Sequence, residues 1–281
     1  MNTKDLIHLK AWFADYVSGF YTDDPDDDRP ITLKEKHTTR VCQDITMLGR
    51  ELKLSAQDML LAETMALFHD IGRFKQYAAY RTFNDRASEN HAILGLQQLT
   101  SRSVLAALTR EEKRLVIRAI EYHNAIALPE NENGKTLFFM RLLRDADKLD
   151  IWRVFVDYYQ ERDKKLNATV ELGLPDNPTY SQKIIEPFHK RQMARMEDLK
   201  TLNDFKLLQI SWMFDLNFTP SFQAVQRRNY IARIAKTLPQ TIEITEAVKQ
   251  AYNYVEACAI CSDSIKLPGK FSGCTIENFS P

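Results

Sequence analysis

The chain has 281 residues, with 38 Lys and Arg against 38 Asp and Glu, so its formal net charge is zero. That neutrality argues against a duplex-DNA binder, which shows a basic excess. No window approaches the roughly 18 uncharged apolar residues of a membrane span. Lys4, Asp5, Lys10 and Asp15 interrupt the apolar pattern of the first twenty residues, which speaks against a signal peptide. Four Cys in a chain of this length fit a reducing cytoplasm better than a disulfide framework.

Eight Gly and ten Pro are few, and apolar residues recur at helical spacing, so the chain reads as all-α. A first helix is expected over Thr3 to Phe20. The acidic, proline-flanked run Asp23 to Pro30 reads as a solvated loop. A second helix is expected from Thr32 to Leu52. Ser55 and Asp58 have capping spacing ahead of an apolar run to Phe68, which stops near Asp70-Ile71-Gly72. Arg73 to Arg86 is aromatic and basic without clear period and reads as a loop. Ser88 is a candidate cap for a helix to Thr100, and Thr109 with Glu112 for one to His123. Ile126 to Lys135 reads as a loop and Leu137 to Gln160 as one long helix. After the loop marked by Gly173, Pro175 and Pro178, helices are expected at Ser181–Leu199, Asp204–Phe214, Pro220–Lys236 and Ile242–Cys258. Ser262 to Pro281 reads as a docking arm or a frayed tail.

The six His residues carry most of the chemical information. His37, His69, His91 and His123, with Asp70 and Asp147, fall on or at the ends of different expected helices, His69 and Asp70 being adjacent. Helical bundles build metal sites from such inward-pointing side chains. Helix neighbours point about 100° apart, so His69 and Asp70 can serve one metal only at a helix end or kink, which Ile71-Gly72 supplies. Four imidazoles with two carboxylates suit Mn, Fe, Co, Ni or Zn better than Mg alone. His8 and His189 fall outside the set.

These residues stand in phrases that resemble the HD superfamily of metal-dependent phosphohydrolases: His37-Thr38-Thr39-Arg40-Val41, Phe68-His69-Asp70-Ile71-Gly72, His91-Ala92-Ile93-Leu94-Gly95, Tyr122-His123 and Asp145-Ala146-Asp147-Lys148-Leu149-Asp150. The resemblance covers Thr32 to Trp152. It implies a helical HD core over residues 1–160, with a helical extension over 161–281 packed on it behind a soft boundary. It also implies that His37, His69, Asp70 and Asp147 hold one metal. In dinuclear members, residues matching His91 and His123 hold a second, and Asp70 would bridge the two. The implied activity is hydrolysis of a phosphomonoester or phosphodiester of a small, nucleotide-like substrate by a metal-bound hydroxide, with Asp70 or a nearby carboxylate as the candidate to orient it.

Cations stand close to these ligands in sequence. Arg73 follows Asp70 by three, Lys148 follows Asp147, and Arg40 lies one turn past His37, so all three are candidates for phosphate oxygens. Arg73 and Lys148 are also the candidate catalytic cations. Tyr77, Tyr80 and Phe83 are candidates for stacking on a base. Glu35, Glu63, Asp85 and Glu121 are candidate partners for the far side of a ligating imidazole, whereas Asp145 and Asp150 read as surface or outer acids. Trp152 to Tyr159 reads as core, with Trp152 and Tyr158 as candidates for the far wall of a pocket. Cys258-x-x-Cys261, with Cys274, lacks the fourth ligand of a structural zinc site and the βαβ context of a redox pair.

Two rival functions stay open: a di-iron oxygenase of the same superfamily, which uses the same ligand types, and a nucleotide-binding regulator. A cyclic-dinucleotide phosphodiesterase branch is disfavoured by the stretch His123-Asn124-Ala125-Ile126-Ala127-Leu128-Pro129. Oligomeric state is open, a homo-oligomer included.

Overall fold

Helix-opening side chains punctuate the chain. Asn2, Ser55, Asn90, Thr109, Asn133, Thr201 and Thr241 each accept a backbone N–H two or three residues on, satisfying a donor that the first turn leaves free. A computed structural model describes residues 1–22, 24–162 and 171–260. Cys261, Cys274, Leu166, Asp23 and the expected tail from Ser262 lie outside the described residues.

The helices are α1 (Thr3–Ser18), α2 (Pro25–Glu51), α3 (Ala56–Phe68), α4 (Ile71–Tyr80), α5 (His91–Ser101), α6 (Arg110–Tyr122) and α7 (Gly134–Glu161), followed by α8 (Gln182–His189), α9 (Leu202–Ser211), α10 (Thr219–Arg227), α11 (Tyr230–Ala235) and α12 (Ile242–Ala259). Short 3-10 turns occupy Met196–Asp198 and Trp212–Asp215. No strand occurs among the described residues. No helix there is long and apolar enough to cross a membrane.

Four expectations about local structure are corrected. The acidic run is the first turn of α2: Asp24 caps it, Pro25 opens it, and Asp26, Asp27 and Asp28 face the positive end of the helix dipole. The stretch after Gly72 is helical to Tyr80, because Phe74 packs edge-on against Phe13 at 5.9 Å and is fully buried. Ile71, Phe74 and Tyr77 supply the helical spacing with aromatic residues. The turn comes at Arg81, whose φ of 54° is left-handed. The expected Ser181–Leu199 helix ends at His189, two residues past Pro187. The expected Pro220–Lys236 helix is split at Asn229, whose left-handed φ of 56° separates α10 from α11.

At the centre, α2, α3 and α7 pack on one another, with α6 against α3 and α7, and α4 against α5. The C-terminal helices lean on α7 through α10 and α11. Trp152 of α7 lies at that junction, fully buried, donating its indole N–H to the Gln209 carbonyl at 2.8 Å. It is a core residue, and Tyr158 donates to Glu171. One hydrophobic cluster runs from Leu9 of α1 to Ala259 of α12, so α7 is shared by the two parts of the chain.

Candidate metal centre

The local folding of residues 68–72 brings His69 and Asp70 to one point. His69 is the residue after α3, and Asp70, at φ −104° and ψ 14°, links it to α4. A new helix start, and not a glycine kink, makes the break. Gly72 serves a different purpose: a Cβ there would stand 2.1 Å from the His91 carbonyl and 2.5 Å from the Gly95 N. The missing side chain lets α4 cross α5 closely enough for His91, the first residue of α5, to face Asp70. His37 comes from mid-α2, His123 from the end of α6 and Asp147 from mid-α7.

The four imidazoles are held alike. Each turns Nδ1 outward: His37 to Asp150 (2.7 Å), His69 to the Ala66 carbonyl (2.8 Å), His91 to Asp85 (2.7 Å) and His123 to the Ile120 carbonyl (2.7 Å). A carbonyl or carboxylate partner makes Nδ1 the donor, so each ring, when neutral as a metal requires, turns a bare Nε2 lone pair inward. All four Nε2 atoms converge. The Nε2 atoms of His37 and His69 are 3.2 Å apart, and those of His91 and His123 are 2.9 Å apart.

Asp70 lies between the pairs. Its Oδ2 is 3.4 Å from His37 Nε2 and 3.6 Å from His69 Nε2, while its Oδ1 is 3.2 Å from His91 Nε2 and 3.7 Å from His123 Nε2. Asp147 Oδ1 joins the first pair, 3.1 Å from His37 Nε2 and 3.6 Å from His69 Nε2. That oxygen is buried with no hydrogen-bond donor aligned on it. Lone pairs and anionic oxygens facing one another in a buried space repel unless a cation stands among them. The donor set therefore fits divalent metal ions, and it forms two groups that share Asp70: His37, His69 and Asp70, and Asp70, His91 and His123.

The electrostatics agree. Burial opposes ionisation of Asp70, but Lys34 and the imidazoles of His69, His123 and His37 outweigh it and hold the carboxyl well below its usual range. Asp147 is likewise held low, by His37 and His69 against its burial. Both carboxylates are anions at neutral pH, as metal ligands must be.

The other candidates have found specific partners. Arg40 binds Asp150 through two N–H groups at 2.5 and 2.9 Å. Lys148 pairs with Asp215 at 2.7 Å. Arg73 donates through Nη1 to Gln76, the Phe83 carbonyl and Asp85, and its Nε lies 3.5 Å from Asp70 Oδ1. Of the four acids considered as imidazole partners, only Asp85 takes that place. Glu35 accepts from Tyr21, Glu63 pairs with Lys10, and Glu121 pairs with Arg118. Asp150 holds His37, and Asp145 is buried under the backbone of Asn217 and Phe218. Tyr77 packs beside Phe83, with ring centres 5.2 Å apart, and Tyr80 is bonded to Glu89. His189 accepts from Gln250, far from the centre, and His8 is exposed on α1.

Sequence reasoning missed Lys34, whose Nζ donates to Asp70 Oδ2 at 2.6 Å and lies 5.4 Å from the Phe83 ring centre. It precedes His37 by the same three residues by which Arg40 follows it, and that spacing was the available signal. Arg144 was missed as well, and nothing in its local sequence marks it.

None of the curated proteins and none of the solved structures matches the chain. Residues 35–152 match the family model described as the HD domain. All six converging side chains lie within that segment, the part of the chain that is similar to the HD domain.

Proposed function

We propose that the chain is a metal-dependent phosphohydrolase that cleaves a phosphomonoester or phosphodiester of a small, nucleotide-like compound. One observation carries the reading: a single carboxylate, Asp70, divides its two oxygens between two buried groups of imidazoles. His37, His69, Asp147 and Asp70 would hold one divalent ion of the Mn, Fe, Co, Ni or Zn type, and His91, His123 and Asp70 a second. When bound, such a pair lowers the pKa of water and stabilises charge on a phosphoryl group.

The chain supplies the rest. Lys34 and Arg73 each approach a different oxygen of Asp70, Oδ2 at 2.6 Å and Oδ1 at 3.5 Å. Arg73 Nε is buried without a hydrogen-bond partner and is a donor ready for a phosphoryl oxygen. Lys34, held on Asp70, is a point charge beside the Phe83 face. Arg40, with both its bonds on Asp150, orients His37 in this reading. Lys148 adds positive potential beside Asp147. Tyr77 of α4 and Phe83 of the loop after it offer an apolar wall to a base.

The test is phosphate release from a panel of nucleotides and sugar phosphates, with Mn, Co, Ni, Zn or Mg supplied and oxygen excluded. Metal-dependent release, with KM raised in Lys34→Met, is the expected result. Metal-loaded protein that releases no phosphate and instead consumes oxygen would overturn this reading in favour of the oxygenase.

A further inference from the structure

The end of α6 presents a problem that the metal centre alone does not solve. The last carbonyls of a helix have no donor within it, and His123 sits among them. Its own ring takes the Ile120 carbonyl at 2.7 Å. The carbonyls of Tyr122, His123 and Ala125 all converge on one guanidinium nitrogen, Arg144 Nη1, at 3.2, 3.3 and 2.5 Å. Arg144 is 4% exposed, lies on α7 one turn before Asp147, and brings a positive charge to the negative end of α6.

The other side of Arg144 is held from outside the HD domain. Its Nη2 donates to Asp215 Oδ2 at 2.8 Å, and Lys148 donates to the same oxygen at 2.7 Å. Asp215 closes the 3-10 turn Trp212–Asp215. The residues after it are clamped: Asn217 N and Phe218 N donate to Asp145 Oδ2 at 3.0 and 3.2 Å, and Asn217 Nδ2 to Asp145 Oδ1 at 2.9 Å. A continuous path therefore leads from the C-terminal segment through one buried guanidinium to the backbone that carries His123. The outward partners of all four imidazoles lie within residues 35–152; what the end of α6 adds is a donor, Arg144, that is itself anchored on Asp215 outside them.

We propose that Arg144 is a positioning residue for His123, and that residues 215–218 form a structural part of the metal centre which sets the affinity of its His91–His123 half. The inference rests on the two-ion reading above. On this reading the C-terminal helices hold the turn at the end of α6 that aims one ligand.

The experiment uses the full chain and Co²⁺ alone, read by calorimetric stoichiometry and by the visible absorption of the bound ion. Arg144→Lys keeps the charge but has a single nitrogen, which cannot serve the carbonyls at the end of α6 and Asp215 together, and Asp215→Asn keeps the shape but removes the counter-charge. Arg228→Lys is the control. Arg228, at the end of α10, pairs with Asp44 of α2 and so also ties the C-terminal region to the HD domain, without touching α6. Wild type and Arg228→Lys are expected to bind two ions with the same affinities. Arg144→Lys and Asp215→Asn should bind the first normally and the second about 10- to 100-fold more weakly, the usual effect of losing an outer partner. Wild-type affinity for both ions in the two variants would overturn the positioning role alone. So would an equal loss in Arg228→Lys, which would assign the effect to general loosening. A wild type that binds only one ion would overturn the two-ion reading together with this inference.

Discussion

The two halves of the centre share Asp70 but are built differently. The His37–His69 half has a carboxylate of its own, Asp147, and its outer acid Asp150 is fully buried on α7, clamped by two bonds from Arg40. The His91–His123 half has no second carboxylate among the described residues. Its outer acid Asp85 sits in the loop between α4 and α5, 27% exposed, and His123 depends on Arg144 at a helix end. The first half takes His37 and Asp147 from the middle of the long helices α2 and α7 and only His69 from a helix end; the second takes both imidazoles from helix ends and its outer acid from a loop. An ion bound to two imidazoles and two carboxylates faces more negative charge than one bound to two imidazoles and a shared carboxylate. The second half is therefore the weaker, and a chelator should empty it first.

The largest expected effect removes what the halves have in common. Asp70→Asn replaces the divided anion with a neutral amide, and elemental analysis should find neither ion; a variant that keeps both would break the bridging assignment. Next come substitutions confined to one half. Asp147→Asn should lose the first ion and keep the second, and His123→Ala should do the reverse. Loss of both ions from either variant would show that the halves do not load independently.

How much of this was legible in the sequence follows the same division. The converging side chains were legible because His69-Asp70-Ile71-Gly72, at a helix junction, and Asp145 to Asp150, within α7, are local phrases. Asp150 lies one turn past Asp147, so its link to His37 follows from helix geometry once Asp147 faces inward. Asp85 was one of four acids near a histidine, and only the path of the loop separated it from Glu35, Glu63 and Glu121. Arg144 and Asp215 are 71 residues apart, and no local period carries such a contact. The α4 helix escaped notice because its buried face, Ile71, Gly72, Phe74 and Gln76, mixes apolar and polar residues and so shows little apolar period.

A pH titration separates the halves by sign. Burial and the Lys34 charge push His37 down, but Asp147, Asp150 and Asp70 outweigh them and raise its pKa from 6.5 to about 10. Burial, aided by His91 and His69 against the pull of Asp70, lowers His123 to about 4. A raised histidine pKa stabilises the metal-free fold fully below 6.5, and this contribution fades as pH rises towards 10. Metal binds the neutral ring, so loading the first half must expel a proton from His37. Its affinity should rise about tenfold per pH unit between roughly pH 6.5 and 8.5, whereas His123 has no proton to release there. Mn²⁺ titrations that show one pH-dependent and one pH-independent site agree with this division. Two sites with equal slopes would contradict it.

The smallest effect probes the outer acids. Asp150→Asn leaves Arg40 facing a neutral amide in a buried place, and it should weaken the first ion towards the upper end of the usual range of roughly 10- to 100-fold. Asp85→Asn should cost the second ion only about tenfold. Asp85 is partly exposed, so water can replace part of what it gives His91. Arg73 keeps the Phe83 carbonyl, and Gln76 keeps Ser88 and the Glu89 carbonyl, so the loop retains anchors when the charge is gone. The measurement is a Co²⁺ titration of each variant against wild type. If Asp85→Asn proved the more damaging of the two, the loop would be the stiffer support, and the His91–His123 half would have to be ranked as the better built.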